Sequence, residues 1–409
     1  MKKKKHNHIF GVLYFFIFAF ILGFFYTLLV YQGIWSKISQ GLSLIPLWAY
    51  PLWLLFSFYL TLTLHELGHF FAFLFQNIKI RALYITMFIF YRDQKGWKFS
   101  INPKLWALAG GLVVPDLGEM NDEETYQKTV KSFAISLWVA PIVTIAFLII
   151  SIISTLLITI FSSNNTLIGI FIINTVFVSL LSTLYIYSFK LSNPMFYGDL
   201  VAYKKMKEDP VFQLIQVSQY TLFSLHESKS TNDFLFKKIE ETIKQTVLNH
   251  TLFHTLLLTQ YIEDILVNKY PIDPQIDHKL RHLNIQPYLR NEQGFMLVND
   301  LIYFHYVNKD VALAYHLLNQ TYSQTYPKLN EKLFNYMRKK TYHLVHLEDN
   351  QAFLDNKDNL YLGIIWIFDR LIDPYAYLSE SHEPLPYTPY VCEINLEVQQ
   401  ENKKSDKIA

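Results

Sequence analysis

Cysteine is almost absent from these 409 residues. The single thiol, Cys392, excludes an internal disulfide framework and any cysteine-built metal site. A charge excess of one sign is also lacking. The 36 Lys and Arg against 34 Asp and Glu leave +2, too near neutral to argue for nucleic acid as a partner. Glycine nearly vanishes after Leu200, where only Gly294 and Gly363 occur, and helical patterns dominate that half. Apolar and aromatic residues are plentiful instead: 33 Phe and 28 Tyr exceed what an ordinary soluble chain carries. Most of this apolar material lies in the first half, which therefore reads as a membrane domain.

Four runs are long enough to cross a hydrocarbon core, which takes about 20 apolar residues. They are residues 9–31, 45–75, 133–161 and 167–189. The first follows "MKKKKHNH", a start that resembles the basic end of a signal peptide. Its apolar core is too long for one and no small-x-small cleavage site follows, so an uncleaved anchor is expected. Lys2 to Lys5 place the amino terminus in the cytoplasm by the positive-inside rule. The loop 32–44 carries only Lys37 and "SSNNT" (162–166) carries no charge, so both are expected outside. The 77–132 connection holds eight Lys or Arg, and Lys190, Lys204 and Lys205 follow the fourth run. The reading is an integral, multi-pass plasma membrane protein with both termini in the cytoplasm. The Lys-rich start and the lack of a transit-like presequence favour a bacterial membrane.

Within the second run, "LTLHELGHFF" (62–71) sets His65, Glu66 and His69 among apolar neighbours. Ionisable groups near a bilayer centre cost at least about 2.5 kcal/mol each, so they need a function. Residues four apart share a helix face, and His65 and His69 can hold one metal ion, with zinc the expected metal. Glu66, one position beyond the first ligand, is placed to act as general base on a metal-activated water. Seven residues separate His69 from Gln76, about 10 Å of helix, which puts the site below the cytoplasmic membrane surface.

Two histidines fill half of a tetrahedral shell, and hydrolytic zinc takes a third protein ligand. The third and fourth runs contain no Asp, Glu or His. Directly after the fourth comes "KLSNPMFYGDLVAYKKM", which delivers Asp199 to the cytoplasmic end of the bundle. Asn193, Pro194 and Gly198 interrupt the helix there and let the chain turn back. Asp116, in "VVPDLGEM" on the same side, is the competing ligand; Asp199 is preferred because the end of a span sets its depth.

HELGH in the second of four spans, with Pro-x-x-x-x-Asp after the fourth, resembles the site-2 protease family of intramembrane zinc metallopeptidases. That family is marked by HExxH on one core helix and an Asn-x-x-Pro…Asp-Gly element on a later one. Here Pro194 and Asp199 keep the spacing, Asn193 directly precedes the proline, and the glycine, Gly198, stands before the aspartate with Leu200 after it. The likeness covers about residues 45–205. It implies zinc-dependent cleavage of a membrane-embedded peptide or protein near its cytoplasmic end. His65, His69 and Asp199 would be ligands and Glu66 the base.

The fold class expected is an all-α polytopic membrane domain (1–205) with a small β-hairpin in its cytoplasmic loop. A helical cytosolic domain (206–380) and a loose tail (381–409) follow. The hairpin is expected where "IKIRALYITMFIFY" and "GWKFSIN" flank "RDQK". An edge strand near Ile78–Tyr91 would let an unwound substrate add a strand, although a plain cover over the bundle fits equally. "LAGGLVVP" (108–115) reads as either a re-entrant segment or a loop, and Asn174 as an interhelical hydrogen bond. "YLGIIWIF" (361–368) is too short to span and is expected in a core. The cytosolic helices suggest a docking surface for a substrate or protein partner.

Two rival classes remain. One is a non-hydrolytic membrane adaptor or immunity-type protein that retains a metal site; the presence of Glu66 argues against it, because a structural site needs no base. The other is a membrane zinc protease that clips prenylated termini. Its third ligand would be a glutamate on a later helix, and the third and fourth runs have none.

Overall fold

The apolar runs after residue 33 all fold as helices. The computed structural model describes residues 33–374 except 109, 194–195, 226–227, 325 and 327–328, with scattered positions between 19 and 30. Most of the expected first span, together with Pro194, Cys392 and the tail after 381, lies outside the described residues.

After α1 (Ile34–Ser43) come α2 (Ala49–Leu74), α3 (Glu123–Phe161) and α4 (Asn165–Ser188). Among the described residues, α3 and α4 are long and apolar enough to cross a membrane. α2 has 26 residues and packs against both of them, but HELGH and several aromatics with polar atoms lower its apolarity. α3 begins ten residues before the apolar run, because Asp122 caps it by accepting from the Thr125 N–H. Glu123 and Glu124 in its first turn suit the positive end of the helix dipole. Ser57 of α2 donates a 3.0 Å hydrogen bond to Asn174 Oδ1 of α4, the interhelical bond expected of Asn174. α1 occupies the expected external loop. Its Lys37 ammonium reaches the Thr159, Ile160 and Ser162 carbonyls at the end of α3, which the helix itself leaves unpaired.

Between α2 and α3 the chain builds a four-stranded antiparallel sheet, not a lone hairpin. β1 (Lys79–Ile85), β2 (Phe88–Asp93), β3 (Gly96–Ile101) and β4 (Gly111–Asp116) lie in the order β3-β2-β1-β4. The expected hairpin is β2–β3, closed at Asp93 and Gly96. The segment read as loop or re-entrant is β4, and its Pro115 suits an edge strand, which needs no donor on its outer side. The structure therefore corrects the expected edge. β1 lies between β2 and β4, and β2 between β1 and β3, so the free edges belong to β3 and β4.

Polarity changes along the sheet. Lys79 opposite Asp116, and Asp93 with Lys98, mark one end. At the other end Phe88 and the nearby Trp106 pack on Tyr59 of α2, with ring centroids 5.6 and 5.8 Å away. Trp97, Phe99 and Ile101 alternate along β3, so they share one face, and each stays about half exposed.

The helical unit follows as α5 (Asp199–Glu208), α6 (Pro210–Thr221), α7 (Lys229–Gln245), α8 (Leu252–Asn268), α9 (Pro274–Arg281), α10 (Glu292–Val307), α11 (Val311–Tyr322), α12 (Glu331–Leu344) and α13 (Gln351–Leu354). A continuous buried cluster runs from Leu62 of α2 to Leu360, so packing continues across the boundary drawn near residue 205. The back of the sheet, at Ala82, Tyr84, Ile89 and Val114, is covered by Phe223 and Ile367. The short apolar run 361–368 thus supplies core through Ile367. Buried Arg81 of β1 fastens this contact, donating to the Phe223 carbonyl (3.0 Å) and the Leu371 carbonyl (3.3 Å).

Candidate metal centre

The site begins with the close approach of α2 and α3. A Cβ on Gly68 would lie 2.7 Å from the Ala140 Cα, so only glycine allows the two backbones this near. The contact brings hydroxyls of α3 to the histidines on either side of it. Thr144 Oγ1 lies 3.0 Å from His65 Nδ1, and Ser136 Oγ lies 3.1 Å from His69 Nδ1. Thr144 already donates to the Ala140 carbonyl at 3.2 Å, which leaves its oxygen to accept from His65 Nδ1–H. That tautomer frees Nε2 as an electron-pair donor. The His65 ring is held further by stacking on Tyr185 and Phe189, at centroid distances of 5.8 and 5.2 Å.

Asp199 arrives by a tight reversal after α4. Two short strands, β5 (Ser192–Asn193) and β6 (Phe196–Tyr197), pair antiparallel and return the chain to the helix end. Gly198 then tucks beneath that end: a Cβ there would lie 2.0 Å from the Ser188 carbonyl oxygen. The Gly198 N–H donates to Leu191 and the Leu200 N–H to Phe189, which fastens both flanks of the aspartate. The glycine that precedes Asp199 is therefore required by this contact.

Asp199 Oδ2 lies 3.1 Å from His65 Nε2 and 3.7 Å from His69 Nε2. The three potential ligand atoms fall within 4.8 Å of one another, and no other such group of three occurs among the described residues. Asp116 stands elsewhere. It ends β4 opposite Lys79, and its Oδ1 accepts from the Leu225 N–H. His343, by contrast, accepts from the Asn350 N–H and joins no ligand group.

The donor set fits zinc. Tetrahedral bonds of about 2.0 Å give ligand–ligand edges of about 3.3 Å. The two spacings from Asp199 bracket that value, and each histidine has a hydroxyl partner on its other nitrogen, the arrangement that orients metal-bound imidazoles.

Glu66 is 4% exposed and faces β4. A Cβ on Gly111 would fall 2.4 Å from its Cγ and 2.7 Å from its Oε1, so the strand passes directly against the carboxylate. Gly111, Ser136, Thr144 and Phe189 escape the sequence reading. A signal for two of them exists: Ser136, Ala140 and Thr144 place small or hydroxyl side chains at i, i+4 and i+8, one face of an otherwise apolar helix.

The profile of Peptidase family M50 matches residues 53–282, more than half of the chain. The matched stretch opens within α2, ahead of HELGH, and includes Asp199. No curated protein and no solved structure matches the chain.

Proposed function

The chain belongs to peptidase family M50, the site-2 protease family, and we propose that it is an intramembrane zinc metalloprotease cutting a membrane-embedded peptide or protein near the cytoplasmic face. Family membership implies a metallopeptidase of the membrane. The observation that carries the finer reading is the convergence of His65 Nε2, His69 Nε2 and Asp199 Oδ2 beside a buried Glu66 that belongs to no ligand group.

In this reading His65, His69 and Asp199 hold the zinc. When bound, it supplies a Lewis acid that polarises the scissile carbonyl and makes water acidic enough to attack near neutral pH. Glu66 Oε takes a proton from the attacking water and passes it to the departing amide nitrogen. Thr144 and Ser136 keep both imidazoles in the Nδ1–H tautomer throughout. Glu66 is buried, so bulk water is kept from its carboxylate while the reacting water is held at the metal.

A peptide bond within a substrate helix is shielded by its own hydrogen bonds and must unwind before attack. The outer edge of β4 is the strand edge nearest Glu66, and we assign it the role of holding the unwound segment by strand addition. Gly111→Ala should then retain zinc and lower turnover by about 100-fold, the scale set by a displacement near 1 Å. Metal analysis beside steady-state rates checks this, and unchanged turnover would remove β4 from the site.

The four-span topology with both termini cytoplasmic sets where the cut falls, and the helical unit supplies a surface for a substrate or protein partner. Reconstituted protein with a membrane-embedded peptide tests the whole reading. Chelation should abolish cleavage, zinc should restore it, and the cut should map to the cytoplasmic end of the peptide. Metal-independent cleavage, or a cut at the external end, would overturn it.

A further inference from the structure

The three ligand groups of the metal centre do not share one support. His65 and His69 stand on α2, so that helix sets their spacing. Asp199 is delivered by a separate reversal, and its distances of 3.1 and 3.7 Å from the two imidazoles depend on how the reversal sits. The N–H groups of Gly198 and Leu200 tie its main chain to the end of α4. A second attachment is made by a side chain.

Tyr197, two residues before Asp199, packs on aromatic rings of the helical unit. Its ring stacks on Phe253 of α8, with centroids 5.3 Å apart and planes 19° apart. Phe212 of α6 meets both rings: it lies 5.7 Å from Tyr197 and stands edge-on to Phe253 at 4.6 Å. This platform is itself fixed. Phe212 is buried in the first turn of α6, which Asp209 caps by accepting from the Val211 and Phe212 N–H groups at 3.1 Å. Asp209 also receives the Lys205 ammonium at 2.8 Å, and that ammonium lies 5.8 Å from the centre of the Tyr197 ring. Just ahead of Phe253, the Thr251 N–H and hydroxyl both donate to Asn249 Oδ1, and the Tyr288 hydroxyl donates to the Asn249 carbonyl.

We infer that Phe253 is a positioning residue for the metal ligand Asp199, acting through the ring of Tyr197. Only Gly198 separates Tyr197 from Asp199, and it has no room to absorb a shift, because the chain there already lies against the end of α4. A displacement of the Tyr197 ring is therefore passed to the carboxylate. Zinc bonds of about 2.0 Å leave no tolerance for a ligand moved by about 1 Å. The helical unit thus takes part in the metal site although it supplies none of the three ligands. The inference rests on the zinc reading of this site and is independent of peptide cleavage.

Zinc affinity of the full-length protein in detergent, measured by competition with a chromogenic chelator, provides the test. Phe253→Ala and Tyr197→Ala should each weaken zinc binding roughly three- to tenfold, the scale of one aromatic pair. The double variant should bind no more weakly than either single one, because both changes remove the same contact. Tyr197→Phe, which keeps the ring, should bind zinc as wild type does. Phe253→Leu, which keeps apolar volume without the ring, should lose affinity in the same direction as Phe253→Ala. Leu318→Ala, a buried change in α11 of the same unit, should lower thermal stability and leave zinc affinity unchanged. Wild-type affinity in both Phe253 variants, additive losses in the double variant, or an equal loss in Leu318→Ala would each overturn the inference. A wild-type protein that holds no zinc would instead overturn the metal reading itself.

Discussion

Glu66→Gln is expected to hold wild-type zinc while peptide hydrolysis falls by about 100- to 10,000-fold, the usual contribution of a positioned general base. The amide keeps the volume and planarity of the carboxylate, so the tight space against Gly111 stays filled. It cannot accept a proton at neutral pH. Because Glu66 is not among the three converging ligand groups, its replacement leaves the metal shell intact. Metal analysis and single-turnover cleavage on the same preparation separate the readings. Full zinc with near-wild-type turnover would mean that Glu66 is not the base. Full zinc with no cleavage by wild type on any membrane peptide would favour the non-hydrolytic adaptor.

Asp199→Ala should strip the zinc and the activity together, whereas Asp116→Ala should keep both. Removing the carboxylate leaves two imidazoles, half of a tetrahedral shell. The aspartate is also the only one of the three ligand groups contributed from outside α2, so no neighbouring helix offers a replacement. Asp116 lies at the polar end of the sheet, engaged with the Leu225 N–H, and its loss leaves the three ligand groups in place. Zinc content after dialysis decides the matter. Retention in Asp199→Ala with loss in Asp116→Ala would reverse the assignment.

Much of this site is legible in the amino-acid sequence, because its chemistry is local. HELGH states its own helix face through the spacing of His65 and His69, and the ends of the apolar runs indicate depth. Asp199 is legible for a related reason: few ionisable groups lie near the span ends, and it is one of them. Other features depend on contacts that no local pattern records. The residue pattern suggests a hairpin where the protein builds a sheet, because "LAGGLVVP" lacks the alternation of a half-exposed strand. Val113 and Val114 are both buried, one against the helices and one against the helical unit. With β4 hidden in this way, nothing in the residue pattern marks β1 as an inner strand. Gly111 is informative only once β4 is seen beside Glu66.

The attachment at Arg81 bears on how such a protein is divided, by evolution or in the laboratory. A peptidase half ending near residue 205 would retain every residue assigned to the chemistry, yet it would lose the carbonyls of Phe223 and Leu371 that receive the buried guanidinium. The Arg81 guanidinium would remain without those two acceptors, beneath a sheet whose apolar back had lost its cover. The strand that lies against Glu66 belongs to that sheet. The helical unit is therefore not detachable cargo: residues about 300 positions beyond the histidines help to hold the sheet whose strand lies against Glu66.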